Sequence, residues 1–516
     1  MKRIALVTLI LASALLADPI EITGDITADE TWYASNDYLL VGQTFVKDGA
    51  TLTIEPGTVI KANPDDGAGK APALVIERGG RLIADGTADA PITFTSSLPE
   101  NQLPQRGTWG GLILLGNAPT NAGESFVEGL VGVPYGGDDP DDDSGILRYV
   151  RVWYGGRVIG QDNEINGITF GGVGRGTVVE HCEVAYNLDD GFEFFGGTVN
   201  IKNCAAIFCG DDAFDTDEGY QGKGQFLFAM LGDDICGRGF EMDNDGSAMD
   251  NQPRSYPQFH NVTLIGPGGG TPANDGSDEM IRLREGTGGD FRNIIIAHGN
   301  GVGLRVKDDA TQALIPDSVK FGAEGIIYDC ADGQFHSDIA SSFTAQDADP
   351  MFRAMDAGQT FGDGQIDPRF FVGSPAQGAG VALPNDGFFE QVSYLGAFGE
   401  DLWLQGLSIL EEQGRLTDIV AVDDTPSMLA EDFQLDAYPN PFNPESRIRF
   451  ALPSQQKVMI SVYNLMGQEV SRLVDREMSA GYHSVTLDGS QMTTGIYFIR
   501  METAQKVLTQ KLTLLK

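Results

Sequence analysis

Between Asp189 and Lys307 charged residues recur at spaced positions. Glu193, Asp215 and Glu241 stand 22 and 26 residues apart, each directly after a phenylalanine: Phe192, Phe214 and Phe240. Two residues beyond them come Phe195, Asp217 and Asp243, and Asp189, Asp190, Asp211 and Asp212 lie just ahead. The same two positions then turn basic, with Arg282 and Arg305 followed by Arg284 and Lys307. If each copy is a short strand, both positions face outward and successive copies lie ~4.8 Å apart. Carboxylates at that distance repel, and only water, a cation or a neighbouring base relieves them.

Each form of relief implies a different chemistry. A calcium ion could bridge oxygens of Glu193, Asp215, Asp217, Glu241 and Asp243. Alternatively, Asp215, Asp217 and Glu241 could divide the roles of general acid and base beside Arg282. Inverting glycoside hydrolysis needs carboxyl groups roughly 6.5–9.5 Å apart, and Asp215 with Asp217 on one strand reaches the lower limit. Polysaccharide lyase chemistry would need calcium and a basic proton acceptor, for which Arg282, Arg284, Arg305 and Lys307 are the candidates. Phe195, Tyr220 and Trp153 are the aromatic residues that could offer a sugar a platform. In the third case water suffices, with Glu241 salt-bridged to Arg282 across coils.

Other signatures are thin. Asp138–Gly145 is a turn full of carboxylates without EF-hand spacing, which suits a solvated loop better than a calcium site. The five histidines are scattered, and no HExxH, paired CxxC, GxSxG, phosphate loop or dinucleotide fingerprint occurs. Of the five cysteines, Cys182 and Cys204 fall at apolar repeat positions, whereas Cys209 and Cys236 lie one repeat apart and could bridge in an oxidising exterior. With 74 acidic and 34 basic residues, the net charge of −40 excludes nucleic acid and anionic membranes as natural partners.

The elements carrying these residues repeat. Gly167-Ile-Thr-Phe170, Gly191-Phe-Glu-Phe194, Ala213-Phe-Asp-Thr216, Gly239-Phe-Glu-Met242, Met280-Ile-Arg-Leu283 and Gly303-Leu-Arg-Val306 share one pattern, at intervals of 24, 22, 26, 41 and 23 residues. Between them runs a second pattern, in Val179–Cys182, Ile201–Cys204, Phe259–Val262 and Phe291–Ile294. Polar insertions near Asn244–Tyr256 and Pro267–Ser277 account for the long interval. A period of this size is too short for a propeller blade of ~40–45 residues. It fits one coil of a β-helix, in which each strand pairs with its counterpart one coil along. Phe192, Phe214, Phe240, Ile281 and Leu304 should then stack as an interior column. Asn203, Asn261 and Asn293 should share a turn position needing unusual backbone angles.

The region also resembles a group of exported bacterial β-helix proteins without an established activity. The residues carrying the likeness are Gly49–Gly57, Gly86–Thr95, Trp109–Gly116, Asp189–Thr198, Asp212–Asp215 and Tyr394–Phe398. Asp367–Phe370 with Gly373–Ala376 looks like a closing coil. The resemblance implies an all-β chain, a right-handed parallel β-helix over Asp18–Leu404. Pectinase-type β-helix enzymes place paired aspartates and a basic residue on such an outer face.

The two ends address the protein. Lys2 and Arg3, an apolar run Ile4–Leu16 and small residues to Ala17 form a secretory signal over residues 1–17, too short to span a bilayer. No second apolar stretch reaches transmembrane length, and the first cysteine, Cys182, lies too far along for a lipid anchor. Residues 405–431 should be a capping segment, with a short helix in Leu404–Leu416, followed by the acidic linker Val422–Glu431. Over residues 432–516, period-two strands at short spacing argue a small immunoglobulin-like β-sandwich. Tyr438–Pro444, Asn464–Val470 and the basic end Lys511–Lys516 make this segment resemble the C-terminal sorting domain of type IX secretion. That resemblance implies export by this machinery in a Gram-negative-type bacterium, to the outer surface or beyond. The chain should therefore be an exported β-helix that binds or supports, with calcium and polysaccharide the candidate ligands and carbohydrate cleavage the alternative.

Overall fold

The computed structural model describes residues 18–515 apart from 65–70, 128–129, 131, 161–162, 269–278, 356–359, 419–432, 439, 455, 479–480 and 491. The leader and the acidic linker expected from the sequence thus lie outside the described residues, whereas residues 405–418 of the expected capping segment are described. The chain divides into two compact units, Met1–Ile419 and Val420–Lys516.

The first unit is a stack of coils. Among its described residues, one parallel sheet has nine strands, which follow one another in chain order from Gln43–Val46 to Val302–Val306. Within it Phe192, Phe214, Phe240, Ile281 and Leu304 are consecutive register partners and fully buried. The phenylalanines pack ring to ring, Phe192 on Phe214 with centroids 5.1 Å apart and Phe214 against Phe240 at 5.7 Å. Alternation is the cause: every second side chain of a strand points into the coil, where stacking removes it from water.

The second parallel sheet consists of longer strands, including Gly145–Trp153, Val178–Ala185, Asn200–Ile207, Lys223–Met230, Gln258–Ile265 and Gly289–Ala297. Each carries one non-glycine residue in the left-handed region, at the same register position: Tyr149, His181, Asn203, Phe226, Asn261 and Asn293, with φ between 49° and 58°. That residue bends one strand into two straight segments. Accordingly, Gly145–Trp153 pairs with two separate strands of the preceding coil, Arg81–Asp85 and Ile92–Ser96. Asparagine suits the position because it tolerates positive φ better than most residues.

After the last full coil the chain turns back along this sheet. Val381 exchanges two hydrogen bonds with the Asn293 side chain, Asn261 Nδ2 donates to Tyr394 O (3.0 Å), and Lys202 Nζ donates to Phe388 O (2.9 Å). The expected helix in Leu404–Leu416 is the single turn Ile409–Glu412. It rests on the flank of the coils, where Glu183 accepts from Ile409 N (2.7 Å) and Arg151 Nε donates to Leu407 O (2.8 Å).

In the second unit, two antiparallel sheets enclose one core. Gln434–Tyr438, Glu445–Leu452 and Gly481–Asp488 form the first sheet, and Gln456–Asn464, Glu469–Met478, Gly495–Thr503 and Val507–Leu514 the second. Ile448, Phe450, Ile460, Val462, Ile499, Met501 and Leu512 fill the space between. This is the expected sandwich.

Candidate functional site: a buried charge ladder

The outward residues of the nine-stranded sheet form a column whose chemistry changes coil by coil. Phe45, Val75 and Ile113 open it, Thr169 follows, and then Glu193, Asp215, Glu241, Arg282 and Arg305 stand in strict register. The sequence places these residues on the correct face. It does not convey their burial: Glu241 and Arg282 are only 8% and 6% exposed, and Glu193, Asp215 and Arg305 are partly covered. One reason is the insertion running from Asn117 to Ser144, which reaches across several coils. Asn121 Nδ2 donates to Asn244 (3.0 Å), Tyr135 Oη donates to Glu218 (2.6 Å), and the Tyr135 ring packs on Phe195.

A second column, of which the sequence pointed only to Asp190 and Asp212, lies three residues before Thr169, Glu193, Asp215, Glu241 and Arg282. Asn166, Asp190, Asp212, Arg238 and Glu279 precede the small or apolar residue that opens each repeat strand, and all are buried. Its signal was available, since those five polar residues recur at one offset of the aligned repeat. The two columns exchange ion pairs. Arg238 lies 3.2 Å from Asp212, 3.1 Å from Glu241 and 3.5 Å from Glu279. Arg282 pairs with Glu241 (3.2 Å) and with Glu279, and Arg284 with Glu241 (3.2 Å) and Asp243 (2.7 Å). Arg305 approaches Glu279 at 3.7 Å. The expected cross-coil contact of Glu241 with Arg282 is therefore present, within a larger network.

At the acidic end the picture differs. One carboxylate oxygen each from Asp190, Glu193 and Asp215 lie within 4.8 Å of one another, as do oxygens from Asp212, Asp215 and Glu241, and from Asp189, Asp190 and Asp211. Burial first, then the neighbouring carboxylates, raises Asp190, Asp212 and Asp215 well above the ordinary carboxylate range. Burial likewise pushes Asp217 up to about 8 and Asp243 to about 7, the latter against the pull of Arg284. Asp217 accepts from Glu218 N (2.6 Å) and Asp243 is held by Arg284, so these two are engaged outside the three clusters.

The remaining expected site residues have structural surroundings. Tyr220 is buried in the coil with its hydroxyl on Val199 O, and Trp153 lies under the returning chain with Nε1 on Glu183, so neither offers an open platform. Lys307 is exposed at the basic end. In the acidic turn, Asp141 pairs with Arg175 and Asp143 with Arg81, both at 2.6 Å. Cys209 and Cys236 carry free thiols in place of the suggested bridge. Burial pushes both up to about 12, which leaves little thiolate to enter an exchange.

Stacked parallel coils define a parallel β-helix protein, and an antiparallel sandwich follows later in the chain. Residues 24–359 match the pectate-lyase-like β-helix domain, and the chain belongs to that family. Residues 436–514 match the secretion system C-terminal sorting domain, which directs a protein to the cell surface or the extracellular space. Among the described residues no helix is long and apolar enough to cross a membrane. No curated protein matches the chain. A solved structure with some likeness is the enzymatically active domain of tailspike protein 2 from bacteriophage CBA120, at 9% identity over 92% of this chain and 72% of that one, with a TM-score of 0.23. That value carries no argument about this protein.

Proposed function

We propose that this protein is a displayed scaffold that binds or supports at the exterior of the cell, and that its charge ladder serves the fold and not a reaction. One observation supports this reading above the others: of the four residues that could do acid–base work, Glu241 and Arg282 are buried and committed to one another and to further charged neighbours. Glu241 is held by Arg238, Arg282 and Arg284, and Asp243 by Arg284. A carbohydrate-cleaving enzyme must bring such groups within hydrogen-bond reach of a glycosidic oxygen or a sugar proton. Buried pairs of this kind instead fix one arrangement of neighbouring coils.

The test takes the mature protein with calcium and a panel of acidic and neutral polysaccharides. Neither new reducing ends nor unsaturated products should appear, whereas a glycan array probes binding directly. Cleavage that disappears in Glu241→Gln or Asp215→Asn would overturn the reading and restore the enzyme alternative.

A further inference from the structure

From the acidic end of the ladder we infer a calcium site, formed by the carboxylates of Asp190, Glu193 and Asp215 with the side-chain oxygens of Asn166 and Thr169. The carboxylates alone would not carry this, because buried acids can relieve repulsion by keeping protons. The uncharged neighbours make the difference. Thr169 is the register partner of Glu193 on the preceding coil, and its neighbours Ile168 and Phe170 fill the core, so its side chain points the other way, into the ladder. It is fully buried, yet its Oγ1 has no hydrogen-bond partner. Asn166 is 5% exposed and its Nδ2 donates to Glu193, which puts the amide against the cluster, while its Oδ1 has no partner. Asp215 Oδ1 is inaccessible and unpartnered as well.

Unpartnered oxygens on Thr169, Asn166 and Asp215, beside the carboxylates of Asp190 and Glu193, are expensive to bury. A hard cation satisfies all of them at once. Among the described residues neither Asp190 nor Asp215 has an ion-pair partner, although Arg238 already serves Asp212 and Glu241 next to them. Asp190 also accepts from Asp212 N at 2.8 Å, which fixes its carboxylate in place. Calcium bonds oxygen at roughly 2.3–2.6 Å, so two ligands of one ion lie at most about 5 Å apart. The three carboxylates meet that limit at 4.8 Å. Five protein oxygens of mixed type suit calcium better than magnesium, which keeps several waters. The ion would tie three successive coils, those of Thr169, Glu193 and Asp215, at the point where the ladder has acids but lacks arginines.

This inference rests on the ladder being structural, and its test is separable from that reading. The full-length mature protein, stripped with chelator, is titrated with calcium chloride by calorimetry while melting is followed by circular dichroism. One calcium should bind per chain with a rise in melting temperature, magnesium should bind at least tenfold more weakly, and protons should be released at neutral pH. Asp215→Asn should weaken calcium at least tenfold. Because that change could also disturb the network, Thr169→Val is the second variant: it keeps shape and burial, so a folded protein with weaker calcium binding is expected. Asp141→Asn, in the acidic turn, should leave binding unchanged. No calcium-dependent heat or melting shift, preference for magnesium, or unaltered binding in both Asp215→Asn and Thr169→Val would overturn the site while leaving the scaffold reading intact. Calcium-dependent polysaccharide cleavage would overturn the scaffold reading and leave the site.

Discussion

Glu193 and Asp215 are direct register partners on adjacent parallel strands, and a carboxylate oxygen of one lies within 4.8 Å of an oxygen of the other. Two coils further on the same column carries Glu241 beside Arg282, 3.2 Å apart. One geometry thus produces repulsion at one end and attraction at the other. The arginines satisfy the basic end, and the acidic end depends on protons or a bound cation.

Arg238 is the hub of the network, 1% exposed and in contact with Asp212, Glu241 and Glu279. Arg238→Met should cost about 3–5 kcal/mol, because it strands buried charges and does not remove a matched pair. Adding Glu241→Gln should recover part of the loss. Denaturant unfolding of both variants checks this, and an equal or larger loss in the double variant would deny the coupling.

Phe214 stacks between Phe192 and Phe240 in the core. Phe214→Ala should destabilise the first unit by roughly 3–5 kcal/mol through lost burial and an unfilled cavity. A cost within about 0.5 kcal/mol, the range of surface changes, would contradict its place in the column.

Asp217, raised to about 8, and Asp243 and Glu183, raised to about 7, contribute to the pH response alongside the raised Asp190, Asp212 and Asp215. Unfolded carboxylates titrate near ~4, so between there and these values the folded state holds protons that the unfolded state has lost. Their contribution is complete below the unfolded value and is lost as pH rises through 7 to 8. Chelator-treated protein should therefore melt at a lower temperature at about pH 8.5 than at about pH 6. Asp217→Asn should reduce that difference.

The sorting domain has its own core, and contacts divide the chain after Ile419. Deleting Tyr438–Lys516 should leave the β-helix folded but retained inside the cell envelope. Fractionation with protease accessibility measures this, and a truncated chain at the outer surface would make the second unit an adhesive module.

The sequence by itself determined the coil repeat, the phenylalanine column, the order of charges along the ladder and the presence of two units. These follow from local alternation: when a short pattern repeats, stacking puts like positions in register whatever else the chain does. It also marked the bend at Asn203, Asn261 and Asn293, whose φ values are 53°, 55° and 55°. Tyr149 and Phe226 take the same backbone state without any such preference, because neighbouring coils impose it. Only the tertiary structure decided what covers the ladder. Alternation says which side of a strand a residue faces and is silent about what arrives there from far along the chain. The Asn117–Ser144 insertion and the column from Asn166 to Glu279 turn an apparent outer face into a buried network. Burial then converts repulsion that water would have screened into a demand for arginine, proton or cation.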